Sequence, residues 1–222
     1  MTRTIIFAFA TLVLLGGGFP LPPGQTTGPL AFGAAQAQTA EAVPDKSLVQ
    51  EMTLGDENAP LTVIEYASFT CPHCKNFHKD TFSRFKANYI DTGKVYFIYR
   101  EVYFDKYGLW AGTVARCGGG EKYFGISDLI YEQQSEWTKA ADEAGIAENL
   151  ARIGRTAGLP SDEVNACLQD REMMLAMIAV YQENAGADGI QSTPSFLIGG
   201  DLVAGNQSYE VFSALLDAKL GE

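Results

Sequence analysis

Histidine is scarce. The 222 residues hold two, His73 and His78, both within one short segment. Zinc sites draw ligand pairs from separate parts of a chain, so this scarcity argues against a histidine-built metal centre. The rival that stays open is a zinc site made of Cys71, Cys74, His73 and His78. Basic residues are also few, 16 against 27 acidic ones, for a formal charge of −11. Nucleic-acid binders need Lys/Arg stripes, so a phosphate backbone is a poor partner. No apolar run approaches the roughly 20 residues that span a bilayer. There is no internal repeat and no low-complexity tract. Cysteine is limited to Cys71, Cys74, Cys117 and Cys167. An even set that includes a Cys-x-x-Cys points to redox chemistry, a metal site or structural disulfides.

What is present reads as globular: 46% hydrophobic and 19% charged residues. The length suits one compact domain, or one with an insertion. Residues 1–37 look like a signal peptide. Arg3 gives a positive start, 4–15 is an apolar run too short to span a membrane, and Ala35-Gln36-Ala37 is a small-x-small cleavage site. Cleavage after Ala37 is expected, with an uncleaved N-terminal anchor as the alternative. Export implies an oxidising compartment in which disulfides persist.

Along the rest of the chain, Leu61 to Ser68 reads as a central strand, apolar on both faces apart from Thr62, Glu65 and Ser68. A helix follows, with His78, Phe82, Phe85 and Tyr89 on one stripe. Lys94 to Val102 is a second strand. From 105 to 188 the periodicity is helical, over Leu109 to Cys117, Lys122 to Trp137, Ala144 to Ala157 and Asp162 to Glu183. Ser161 is the expected N-cap of the last of these. Two short strands joined by Gly199-Gly200-Asp201 come next, then a helix from Tyr209 to Leu220. The class is α/β, a βαβ unit and a ββα unit (38–104 and 189–222) interrupted by a helical block (105–188).

The chemistry sits at the first strand-to-helix junction, Phe69-Thr-Cys-Pro-His-Cys74. A helix start favours negative charge, and the thiolate is the reactive form of cysteine. Cys71 at that place is the expected nucleophile. A protonated His73, and the local excess of Lys75, Lys79, Arg84 and Lys86 over Asp80, add to the effect. Pro72 suits the first helical turn. The plain structural alternative, a small stabilising ring, gains little chain entropy. Glu65, in an apolar strand, is costly unless neutral or partnered, and burial raises a carboxyl pKa. It reads as a proton acceptor beneath Cys74 or as a paired structural acid. Thr193-Pro194 opens the third strand, and X-Pro bonds are usually trans.

Together, Thr53-Leu-Gly-Asp-Glu-Asn-Ala-Pro60, Val63-Ile-Glu-Tyr-Ala-Ser-Phe-Thr-Cys-Pro-His-Cys74 and Thr193-Pro-Ser-Phe resemble the DsbA-like bacterial thiol:disulfide oxidoreductases. The resemblance implies a thioredoxin fold, a central mixed sheet flanked by helices, with 105–188 as an inserted helical domain. It assigns attack to Cys71, resolution to Cys74, proton transfer to Glu65, and a cis bond facing the cysteines to Thr193-Pro194. It implies no cofactor and no metal. Reduced or misoxidised exported proteins are the implied substrates, and a quinone-linked membrane protein the reoxidising partner, in the periplasm. Thr before Pro194 also resembles isomerase relatives, which keeps isomerase or reductase as the alternative. Only about 18 residues precede the core, too few for a dimerisation domain, so a monomer is expected. Cys117 and Cys167, in an oxidising compartment, are expected to pair, with two buried free thiols as the alternative.

Overall fold

The computed structural model describes residues 43–221. The signal segment 1–37 and its cleavage point lie outside the described residues. Among the described residues, five strands form one mixed sheet: β1 (Met52–Leu54), β2 (Leu61–Ala67), β3 (Val95–Glu101), β4 (Ser195–Ile198) and β5 (Asp201–Ala204), in the order β1-β3-β2-β4-β5. β2 and β3 are parallel, and the remaining pairs are antiparallel. β2 therefore lies at the centre, which explains its apolar residues on both faces.

A helical run, α1 (72–90), links β2 to β3 as the crossover that a parallel pair requires. It includes two π-helical turns, His78–Phe82 and Lys86–Ile90. Its inward face carries Cys74, Phe77, Phe82, Phe85 and Tyr89, all buried. Phe77 packs on Phe196 of β4 and on Phe212 of the last helix, and Phe85 packs on Phe212, with ring centroids 4.6–5.2 Å apart. Each such side chain contributes about 1.5–3 kcal/mol by burial. Thr92 and Gly93 end the run, and Gly93 takes the left-handed φ of 75° that the turn requires.

Between β3 and β4 come α2 (Lys106–Cys117), α3 (Gly119–Glu132), α4 (Gln134–Trp137), α5 (Glu143–Thr156), α6 (Ser161–Cys167) and α7 (Arg171–Ala187); α8 (Tyr209–Leu220) closes the chain. Val114, Ile126, Ile130 and Leu150 of this block share one buried cluster with Val63 and Phe97 of the sheet. Four details depart from the sequence reading. β1 was not anticipated. The helix expected over Asp162 to Glu183 is two helices, because Asp170 caps a new start by accepting from the Met173 amide. The helix expected over Lys122 to Trp137 is also two, broken at Gln133. Ser161 is not an N-cap: it is the first helical residue, with Pro160 in the cap position and no side-chain cap bond.

Candidate active site

Cys71 stands at the N-cap of α1 in an extended conformation, φ −80° and ψ 119°, with Pro72 as the first helical residue. Its own amide donates to Ser68 O at 3.0 Å. Cys71 is partly exposed and Cys74, one helical turn on, is fully buried; both are free thiols. Hydrogen bonding from Cys74 draws the Cys71 pKa down to about 5. The amides of Cys74 and His73 add to this, against the opposing effect of partial burial. Burial pushes Cys74 far up, and the negative charges of Cys71 and Glu65 add to that. One sulfur is thus a thiolate at neutral pH and its neighbour a thiol.

His73 is exposed, and it acts on Cys71 through its backbone N–H. Arg84 and Lys86, read from sequence as part of a positive field, are paired with Glu210 and Asp91. That weakens their effect on the thiolate and leaves hydrogen bonding as the main influence.

The Thr193-Pro194 bond is cis. The Thr193 carbonyl oxygen lies 3.4 Å from Cys71 Sγ, so that carbonyl faces the reactive sulfur. Pro194 O accepts from the Gly205 amide at 2.8 Å, fixing the segment to the end of β5.

Glu65 is fully buried in β2. Its two carboxylate oxygens each lie 3.2 Å from His78 Nε2. The histidine ring stacks on Tyr131 at 4.5 Å and lies 4.6 Å from Phe82. Glu65 therefore has a partner that sequence reasoning missed. His78 follows Cys74 by four residues, and that spacing on one helix face was the available signal.

Gln134 was also missed. From the start of α4 its buried amide nitrogen donates to Phe69 O at 2.8 Å and to Cys71 O at 3.0 Å. Thr70 Oγ1 donates to Asp105 Oδ2 at 2.8 Å, and Asp105 caps α2 through the amides of Tyr107 and Gly108. The helical block thus holds the loop from which Cys71 projects.

Away from this site, Cys117 and Cys167 are bonded to each other, joining the ends of α2 and α6. Beside them, Arg116 makes a two-pronged pair with the buried Glu101, at 2.8 and 2.5 Å, and Tyr123 OH donates to the same carboxylate. Among the described residues no cluster of three or more His, Cys, Asp or Glu is arranged to hold a metal ion.

A family described as thioredoxin matches residues 47–218. A Rickettsia felis protein, provisionally named a protein-disulfide oxidoreductase, is 34% identical over 173 residues, which cover 78% of this chain and 61% of that one. The chain thus spans about six-tenths of the length of that relative. The crystal structure of Wolbachia pipientis alpha-DsbA1 superposes with a TM-score of 0.70 at 29% identity, covering 79% of this chain and 96% of that one. BdbD from Bacillus subtilis, at 20% identity and a TM-score of 0.68 over 81% of this chain and 96% of its own, shares the fold. The chain belongs to the thioredoxin family, among its DsbA-like members.

Proposed function

We propose that this protein is a thiol:disulfide oxidase that donates the Cys71–Cys74 disulfide to newly exported proteins. The observation that carries the reading is the asymmetry of the two sulfurs. Stabilising a thiolate at Cys71 stabilises the reduced pair, and a stabilised reduced form makes the disulfide a strong oxidant. A substrate thiolate attacks Cys71, the Cys71–Cys74 bond breaks, and Cys74 leaves with the electron pair. A second substrate thiolate then attacks the substrate sulfur and releases Cys71 as its thiolate. The substrate gains a disulfide and the enzyme holds two reduced cysteines.

Cys71 is the nucleophile, Cys74 the resolving thiol and Glu65 the proton carrier of this reading. Pro72 starts the helix, the His73 amide bears on the thiolate, and Thr193 and Pro194 form the wall that an extended substrate meets. Residues 38–104 and 189–222 form the redox domain, 105–188 the inserted helical domain, and Cys117–Cys167 its structural bond. The chain acts as a monomer in the periplasm after removal of 1–37, and a quinone-linked membrane protein reoxidises it. The test is a reduced, unfolded substrate protein incubated with the oxidised enzyme. Stoichiometric disulfide gain by the substrate, lost in Cys71→Ser, is the expected result. The isomerase alternative has support in Thr193 alone. It would show instead as faster reshuffling of a scrambled substrate by the reduced enzyme than oxidation of a reduced one by the disulfide form.

A further inference from the structure

Thr193 and Pro194 belong to a loop, 188–194, that leads from the end of α7 into β4. Near its start the Ile190 amide donates to Ala185 O at 2.9 Å. Beyond that point the amides of Gln191, Ser192 and Thr193 have no backbone acceptor among the described residues. The backbone of the loop therefore does not by itself fix the Thr193 carbonyl at its place, 3.4 Å from Cys71 Sγ.

One row of side chains across the sheet holds both ends of this loop. Tyr66 of β2 lies opposite Arg100 of β3 and Ser195 of β4. At the first end, Tyr66 OH donates to Asp188 Oδ2. Arg100 Nη1 donates to the same oxygen at 3.1 Å and to Tyr66 OH at 2.8 Å. The other edge of the guanidinium meets Glu51, with Nε and Nη2 each 3.1 Å from a carboxylate oxygen. At the second end, Ser195 Oγ donates to Ser192 O at 2.7 Å. Tyr66 is fully buried. Burial and the bond to Asp188 raise its pKa to about 12, against the pull of Arg100, so its hydroxyl stays a donor at neutral pH.

We propose that Asp188 is a positioning residue for disulfide exchange: clamped by Tyr66 and Arg100, it sets the course of 188–193 and with it the Thr193 backbone that an extended substrate meets. The inference rests on the disulfide-exchange function proposed above. Glu51 precedes β1 and turns the fork of Arg100 toward Asp188, so the clamp ties the N-terminal segment, β2, β3 and the end of α7 together at the base of the loop. Partly buried charge pairs of this kind add little net stability. What this one supplies is a single arrangement of a loop that lacks backbone bonds of its own.

The test needs a readout that loss of stability alone does not move. Oxidised full-length protein is reduced in parallel by an extended peptide with one central cysteine and by dithiothreitol, each followed by acid quench and mass spectrometry. The peptide lies along the loop, whereas dithiothreitol reaches the sulfur alone, so the ratio of the two rates reports the loop. Asp188→Ala should lower that ratio about tenfold, the order of one hydrogen bond lost with the substrate backbone. The fall should come as a rise in the peptide concentration that gives half the maximal rate, with the maximal rate kept. Asp188→Asn keeps an oxygen for both donors and should hold the ratio within about twofold of the parent's. Tyr66→Phe removes one oxygen, keeps the ring in the core and should lower the ratio about threefold; it carries the test should Asp188→Ala fail to fold. A parent-like ratio in Asp188→Ala, or in Tyr66→Phe where the first does not fold, would overturn the positioning role and leave the exchange function intact. Equal slowing of both reductants would overturn it in the same way. A parent protein that exchanges with neither reductant would overturn that function and the inference with it.

Discussion

Replacing Cys117 and Cys167 together with serine removes a bond that closes a separation of 50 residues. The folded protein should change little. α2 and α6 still pack through α5, where Gly154 brings the helix against Val164 and Val114: a Cβ at Gly154 would lie 2.9 Å from the Val164 side chain. The buried Arg116–Glu101 pair also still holds α2 to β3. The loss therefore lies in the unfolded chain, which regains the freedom of a loop of that size. Chain-entropy arithmetic for about 50 residues gives roughly 4 kcal/mol at 25 °C. In a protein of this length about 1 kcal/mol moves Tm by roughly 2–4 °C, so the double variant should melt about 8–16 °C lower. Denaturant unfolding should show the same loss with a steeper slope, because the uncrosslinked chain exposes more surface. Peptide exchange at Cys71 should stay at the parent rate. A loss below about 1 kcal/mol with an unchanged slope would refute the argument that the bond acts through the unfolded state.

Alkylation of Cys71 in the reduced protein should hold its rate as pH falls from 8 to 6 and drop to half near pH 5, where an ordinary thiol would titrate near 8.5. The same depressed value has a stability consequence. A thiolate favoured by folding contributes fully above about pH 8.5 and loses that contribution as pH falls toward 5. Cys74, raised by burial, stays protonated in both states below about pH 8, so denaturation of the reduced protein between pH 5 and 8 should show stability rising with pH. His73→Ala should leave the Cys71 midpoint within a few tenths of a unit, because that residue acts through its backbone amide; a rise of a full unit would restore the imidazole to the account. Gln134→Ala leaves the carbonyls of Phe69 and Cys71 without a buried donor and should cost about 1–3 kcal/mol in denaturant unfolding. Gly154→Ala, forced against Val164, should destabilise by about 1–3 kcal/mol by the same measurement.

The parts of this site that the sequence makes legible are those carried by local chemistry. Cys71 at a helix start, Pro72 behind it and the buried carboxyl of Glu65 follow from neighbours within a few residues. The strands β2 and β3 are legible from their β-branched and aromatic residues, and the closing helix α8 from its amphipathic spacing. Three-residue β1 has too few positions to alternate, and only its antiparallel pairing with β3, Met52 with Tyr99 through Leu54 with Phe97, makes it a strand. The break at Asp170 is hidden because the polar run Gln169-Asp170-Arg171-Glu172 reads equally as a solvent-facing turn of one long helix. His78 reads as one more member of the Phe82–Phe85–Tyr89 stripe. Its partnership with Glu65 crosses from helix to strand and depends on the packing of α1 on β2. Gln134 carries no local signal at all: its two bonds reach back more than sixty residues to a loop that the fold alone brings near.

The most direct test of the central claim is the equilibrium of the Cys71–Cys74 pair with glutathione at pH 7, read by trapping free thiols and weighing the protein. A thiolate stabilised at Cys71 predicts a disulfide more oxidising than roughly −180 mV, the range of protein disulfide isomerase. A value near −270 mV, where thioredoxin lies, would contradict it, because a pair that reducing would give electrons to exported proteins instead of taking them.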